Sequence, residues 1–539
     1  MFIKRSIKLY GQLFVVSLWL GGMFWFGFSG FAQLPDKSRT PNLANDGINK
    51  SLEQQIGAGR GDWQTPDSSS FIIARDPARS IRRGRQLFQR KFTRTQGVGP
   101  LANDGFGDLN TNLALGAGLS DSCASCHGRP RGSAGAGGDV VTRPDSRDAP
   151  HLFGLGLKEM LADEITTDLR AIRANALAEA AQQKRNITKR LMSKGIRYGS
   201  LTARPDGTVD TAQVDGVDAD LRVKPFFAHG GTASIREFIV GAWNDEMGLQ
   251  AFDPELLAAS HGARVVTPAG MVLDGARDTV KPSPATTASD DPDHDGAVNE
   301  IPVSLVDHME FYLLNYFKPG LAEQTQRVEQ GRRLFERAQC ATCHIPDLQI
   351  RRDRRVADVE TVFDPDRGIF NRLFATASLS LVAMPLVAIN DSSGFASVKR
   401  PQFGEFLVKN IYTDFKRHDL GPNFHERNFD GTMRKEFLTT ALWGVGTTAP
   451  YGHDGRSINL LEAIMRHGGE AEDSQAAFCN LSDSQWRLII EFLNSLVVFP
   501  PDDTASNLDP GDRTAAGFPQ FRHGSIRLTA LFNDPTDIE

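Results

Sequence analysis

The sequence predicts a mainly α fold with small β and irregular insertions, on three observations. The string Gly84-Arg85-Gln86-Leu87-Phe88-Gln89-Arg90 returns as Gly331-Arg332-Arg333-Leu334-Phe335-Glu336-Arg337, and both copies read as helices. Each copy precedes one of two short pentapeptides, Cys123-Ala124-Ser125-Cys126-His127 and Cys340-Ala341-Thr342-Cys343-His344. The stretch from Leu157 to about Met192 is rich in Ala, Arg and Glu and reads as a long helix.

The pentapeptides carry the chemistry. Both read C-x-x-C-H, the attachment pattern of a c-type haem. Two cysteines at that spacing can form thioethers to the two vinyl groups of one porphyrin, and the adjacent histidine then falls beneath the iron as proximal ligand. Four of the five cysteines are used this way. The expected cofactors are therefore two covalently bound haem c groups on Cys123, Cys126, Cys340 and Cys343, with His127 and His344 as iron ligands. Two Cys-x-x-Cys knuckles could instead share a zinc ion, or form two disulfides or redox thiols. Those alternatives give no reason for a histidine directly after each knuckle. Cys479, left over, reads as a small buried apolar residue.

From the N-terminus, Lys4, Arg5 and Lys8 form a positive region and Leu13 to Phe28 an apolar run, followed by the small residues of Gly30-Phe31-Ala32. Residues 1–32 thus read as a secretory signal, or as an anchor if uncleaved, and place the protein in the periplasm or another exported location. Residues 33–78 form an N-terminal extension, and 79–280 a first haem domain carrying a helical and hairpin insertion. In that domain, chain rich in Gly, Asn and Asp (Gly97 to Ser122) separates the helix from its motif. The turn Arg204-Pro205-Asp206-Gly207 marks a hairpin. Residues 281–302 are a polar linker, 303–500 a second haem domain and 501–539 an irregular tail. A helix feeding directly into C-x-x-C-H is how class I cytochrome c domains begin, so two such domains are expected in tandem.

In the linker, Asp291-Pro292-Asp293-His294-Asp295-Gly296 resembles the first half of a calcium loop. The twelfth position is Pro302 rather than Glu, with Glu300 an imperfect substitute, so one Ca2+ and an ordinary solvated acidic turn are both open readings. Composition narrows little else. A net charge of −6 and a mean hydropathy of −0.31 suit a polar globular chain, and no basic stripe points to nucleic acid.

The segment Leu442-Trp443-Gly444-Val445-Gly446-Thr447-Thr448-Ala449-Pro450-Tyr451-Gly452-His453-Asp454-Gly455-Arg456, followed by Leu461-Glu462-Ala463-Ile464 and His467-Gly468-Gly469-Glu470-Ala471, resembles the C-terminal domain of bacterial di-haem cytochrome c peroxidases. It is closer still to the di-haem oxidoreductase family of that superfamily, and the likeness spans roughly residues 80 to 500. The resemblance implies that His467 takes the distal position of the C-terminal haem, where the peroxidases place a methionine, with Met465 as the alternative ligand. It implies that His453 lies beside the haem edge as a propionate partner. For the N-terminal haem, Met247 or His151 is the candidate distal ligand, with His229 a further rival, and Glu246 a candidate acid–base group. A tryptophan between the haems is a property of the superfamily; Trp243 is the first candidate and Trp443 the second.

The function the resemblance implies is an exported di-haem c-type oxidoreductase, peroxidase-like, passing electrons from a bis-His C-terminal haem to an N-terminal haem where peroxide or another substrate reacts. The expected donor is a small redox protein or a quinol-linked carrier. A pure electron-transfer cytochrome is the alternative from another class. Within the superfamily, a haem dioxygenase or an oxidase that modifies a partner protein is also open.

Overall fold

The computed structural model of the chain describes residues 51–75, 77–99, 120–127, 148–315, 324–355, 403–428 and 431–498, with isolated positions and short strands between 316 and 402. The predicted export segment, the tail after residue 500 and most of the Gly97–Ser122 insertion lie outside these residues.

The repeated string builds the same device twice. In the first copy it lies in α1 (Pro77–Gln89), opened by a proline whose missing N–H costs the first turn nothing. In the second it lies in α5 (Gln326–Arg337), capped by Thr325, whose side chain accepts from the Val328 N–H. Gly84 is where α1 crosses α4 (Val303–Leu314): a Cβ there would stand 2.4 Å from the His308 carbonyl oxygen and 2.3 Å from the Tyr312 Cβ. Gly331 is where α5 crosses α7 (Asp483–Asn494), with a Cβ 2.0 Å from the Leu488 carbonyl oxygen. Each glycine lets two backbones approach more closely than any side chain allows.

One turn further along, Phe88 meets Tyr312 edge-on at 6.1 Å, and Phe335 meets Phe492 at 5.5 Å. The same two phenylalanines lie 6.3 Å from the His127 ring and 6.1 Å from the His344 ring. Two apolar cores form around these crossings. One gathers Leu87, Phe88, Trp243, Met247, Met309 and Leu313; the other gathers Leu334, Phe335, Tyr412, Phe492 and Leu496. Burial of such side chains stabilises by about 1.5–3 kcal/mol each.

A third core lies in the insertion. Helix α2 (Leu155–Gln183) packs on the hairpin of β1 (Ile187–Ser193) and β2 (Ile196–Ala203), and on β4 (Leu348–Arg352), which pairs with β5 (Phe403–Val408). The predicted helical stretch ends earlier than expected: Lys184 adopts φ +51° and Met192 lies in a strand. Ile187-Thr188 and the turn at Lys194-Gly195 favour the hairpin over further helix. The turn at Arg204 to Gly207 joins β2 to β3 (Val209–Asp210), as its sequence predicts.

Helix α3 (Ile235–Met247) positions the first site. Ser234 and Glu237 form a capping box at its start, Gly248 in the left-handed region closes it, and buried Glu159 accepts from the Ile235 N–H at 2.7 Å. Inside it Arg236 is fully buried among Asp253, Asp307 and Glu310, at 2.7, 3.0 and 2.7 Å. Arg60 also reaches Asp307, tying the N-terminal extension to α4. Breaking such a network leaves an uncompensated buried charge, at about 3–5 kcal/mol. Helices account for 39% of the described residues and strands for 15%, in keeping with a mainly α class.

Candidate functional site

The first motif forms a single helical turn, Cys123–Cys126, packed on α1, and it ends at His127. His127 directs Nδ1 to the Pro150 carbonyl at 2.8 Å. A carbonyl only accepts, so Nδ1 carries the proton and the Nε2 lone pair is left for a metal. Burial pushes this ring down to about 4, which keeps it neutral near pH 7. Cys123 and Cys126 share with His127 a pocket lined mainly by apolar side chains.

Its wall is built largely by α3 and α4. Trp243, Glu246 and Met247 come from α3, Met309 and Leu313 from α4, and Phe88 from α1. Trp243 and Met247 are buried, and the indole Nε1 of Trp243 has no partner among the described residues. The C-terminal end of α3 is held against the chain that flanks the motif: Ser120 donates its N–H to the Glu246 carbonyl at 3.1 Å, and Gly99 donates to that of Met247 at 3.4 Å.

The structure therefore brings Trp243, Glu246 and Met247 to the first motif. His151 is not in the pocket lining; it donates from Nε2 to the Trp443 carbonyl, and burial pushes it down to about 3. His229 stacks on Phe227 at 6.0 Å, also outside the lining.

The second motif follows α5 after two residues, as a 3₁₀ turn at Cys340–Thr342. His344 directs Nδ1 to the Tyr412 carbonyl at 3.1 Å, the counterpart of the Pro150 contact. Burial, with a smaller contribution from the nearby His467, pushes it down to about 4. His467 follows α6 (Leu460–Arg466), which Asn459 caps through the Glu462 N–H. Its Nδ1 donates to the Ala463 carbonyl at 2.7 Å, and Phe424 meets its ring edge-on at 5.4 Å. Arg466 covers Phe424 and is itself fixed by Asp454 at 2.6 Å. Three histidines thus share one arrangement, with Nδ1–H on a main-chain carbonyl and Nε2 unused by it.

Met465 does not point toward this group: it is 45% exposed and rests on Cys479 at 3.7 Å. Cys479 is exposed rather than buried, because its short helix Glu472–Cys479 presents that end to solvent. His453 is stacked on Phe437 at 3.9 Å, with Nε2 3.2 Å from a carboxylate oxygen of Glu426. The four motif cysteines do not converge on one point and none is in a disulfide, which leaves the shared-zinc and disulfide readings without support.

Sequence reasoning missed His418. It lies beside Cys343 and is bracketed by Asp414 at 2.9 Å and Glu470 at 2.7 Å. Burial lowers its pKa, but hydrogen bonds to Asp414 and Cys343 outweigh this and push it up to about 11. The alternation in Asp414-Phe415-Lys416-Arg417-His418 gave no spacing signal for that contact.

A chain of short links joins the histidines of the two motifs. His127 bonds the Pro150 carbonyl, and the next residue, His151, bonds the Trp443 carbonyl. Leu442, adjacent to Trp443, donates to Ile411 at 3.1 Å, and the next carbonyl, of Tyr412, holds His344. Trp443 is buried in the insertion core, with Gly154 against its ring.

A comparison with curated proteins finds no match. The stretch that carries His418, His453 and His467 lies within residues 373–496, which match the family model described as di-haem oxidoreductase, putative peroxidase, and the match supports the family that the chain's motifs resemble.

Proposed function

We propose that the chain is a di-haem c-type oxidoreductase with a peroxidase-like division of labour between its two motifs. The family implies haem, and the residues present fit it: each motif offers two cysteines and a histidine presented by Nε2, and the first opens onto a pocket lined mainly by apolar side chains. Bound there, haem would supply an iron that exchanges electrons and, where one face is left open, takes up peroxide or another small substrate.

The observation that carries the division of labour is the pair His344 and His467. Both hold Nδ1–H on a carbonyl and both keep Nε2 for a metal, so this site reads as closed and suited to electron transfer. In the first site α3 supplies no histidine. Met247 offers a thioether, a weak ligand that a substrate can displace, and Glu246 offers a carboxylate placed to relay a proton. Trp243 is a wall of this pocket, with its unpartnered N–H available to a bound oxygen atom or to the cofactor. For electron passage between the motifs, the hydrogen-bonded chain through His151 and the Trp443 carbonyl is the route we infer, in place of Trp243.

The repeated glycine crossings and Phe–His contacts support two cytochrome c-like units in tandem. Export follows from the residues 1–32 reading, with a small redox protein or quinol-linked carrier as donor. Among the described residues no helix is long and apolar enough to cross a membrane.

The test is the purified full-length holoprotein. Haem staining after denaturation is expected to show covalent attachment, and peroxide is expected to oxidise a reduced cytochrome donor in its presence. Two irons that stay fully low-spin and unmoved by peroxide in every redox state would leave a pure electron-transfer cytochrome as the reading.

A further inference from the structure

The linker between the two units holds a cluster that the haem chemistry does not use. Asp291, Asp293 and Asp295 bring carboxylate oxygens within 4.8 Å of one another. The chain turns sharply at Gly296, with φ +91°, and Asp291 accepts from the main-chain N–H groups of Asp295 and Gly296 at 3.2 and 3.0 Å. The sequence left open a solvated acidic turn. Asp293, however, is only 6% exposed, and neither of its carboxylate oxygens has a partner in good hydrogen-bonding geometry.

A fourth carboxylate, Glu300, lies near the three aspartates but outside the group whose oxygens stand within 4.8 Å of one another. It is 7% exposed and leaves Oε1 without a partner among the described residues, while Oε2 accepts from the Gln250 N–H at 2.6 Å. Among the described residues no cationic side chain pairs with these acids, and such a group repels itself unless protons or a cation neutralise it.

We propose that Asp291, Asp293, Asp295 and Glu300 form a binding site for one hard divalent cation of the calcium class. Only oxygen donors are offered, and they come from a flexible loop rather than a rigid octahedral cage, which suits Ca2+ better than Mg2+ or a softer metal. Glu300 replaces the closing glutamate of a twelve-residue calcium loop, reaching in from two positions earlier. The site also reaches the chain that leaves α3. Gln250 bonds Glu300 through its N–H and accepts from the Ile301 N–H at 3.2 Å, so a cation here fixes the chain that leaves α3 just after Glu246 and Met247. This last consequence rests on the reading of that pocket as a haem site.

The experiment is calorimetric titration of Ca2+ into full-length holoprotein depleted with a chelator, for the native chain, Asp293→Asn and Glu300→Gln. One Ca2+ per native chain is expected, with affinity lower by about tenfold or more in Asp293→Asn. Calcium should raise the melting temperature of the depleted native protein and leave that of Asp293→Asn unchanged, a comparison that also shows whether the variant folds. No saturable binding to the native chain, or binding unaltered by both substitutions, overturns the site. An absorption spectrum taken at each step reads the link to α3: calcium binding without any change in the spectrum upholds the site and refutes the link.

Discussion

In the N-terminal half His127 hangs from the Pro150 carbonyl and shares a pocket with Trp243, Glu246 and Met247. In the C-terminal half His344 hangs from the Tyr412 carbonyl and has a second histidine, His467, close by and held in the same way. The frames match down to the crossing glycine and the phenylalanine against the histidine. The difference lies in what each half sets near that histidine: a capped helix ending in a thioether and a carboxylate in one, a short helix ending in an imidazole in the other. One backbone device can thus be duplicated while the chemistry is decided by a few residues delivered from elsewhere in the chain.

The largest expected effect separates the halves by chemistry. Glu246→Gln should lower peroxide turnover by about 10²-fold or more, the scale of a lost proton relay, while leaving the haem spectra and the electron uptake of the C-terminal site as they were. Unchanged turnover would remove Glu246 from the account and leave the pocket's acid–base group unassigned.

Next in size is the frame itself. Gly84→Ala and Gly331→Ala each force a methyl group against a neighbouring helix, at about 1–3 kcal/mol. Thermal unfolding monitored at the haem bands should show Gly84→Ala disturbing the N-terminal haem first and Gly331→Ala the C-terminal one. Equal disturbance of both haems by either variant would mean that the halves are not separate packing units.

The smallest effect concerns the link between them. His151→Leu removes the bond to the Trp443 carbonyl, whereas Trp443→Phe keeps that carbonyl in place. Electron transfer between the sites, followed after rapid reduction of the C-terminal haem, should slow in His151→Leu and change less in Trp443→Phe. The reverse order would favour a route through the indole ring instead.

Much of the frame was legible in the sequence, because the repeat, the two pentapeptides and the cap before Leu460 are local signals. Trp243, Glu246 and Met247 were legible as candidates from residue type and from their place between the two motifs, whereas the single capped helix that carries all three emerges only in the structure. What the chain order hides is contact across long separations. The Pro150 and Tyr412 carbonyls carry no side-chain signal at all, and His418 reaches Cys343 only because the strand pair Arg417–Asp419 and Glu436–Leu438 folds back on the motif. The long helix was drawn too far because Ala-rich composition continues to Gln183 while the β-branched pair Ile187-Thr188, which starts the hairpin, lies only four residues on. Cys479 was placed inside from residue type alone, and the short helix that carries it ends at the surface.

The central claim is that the C-terminal site is closed by His467 and the N-terminal site is not closed by any histidine. Low-temperature EPR of the oxidised holoprotein, native against His467→Ala, tests it most directly. The account predicts that one low-spin signal is replaced by a high-spin one while the signal of the other haem stays as it was. Spectra that are identical in the two proteins, or altered at both haems, would contradict it.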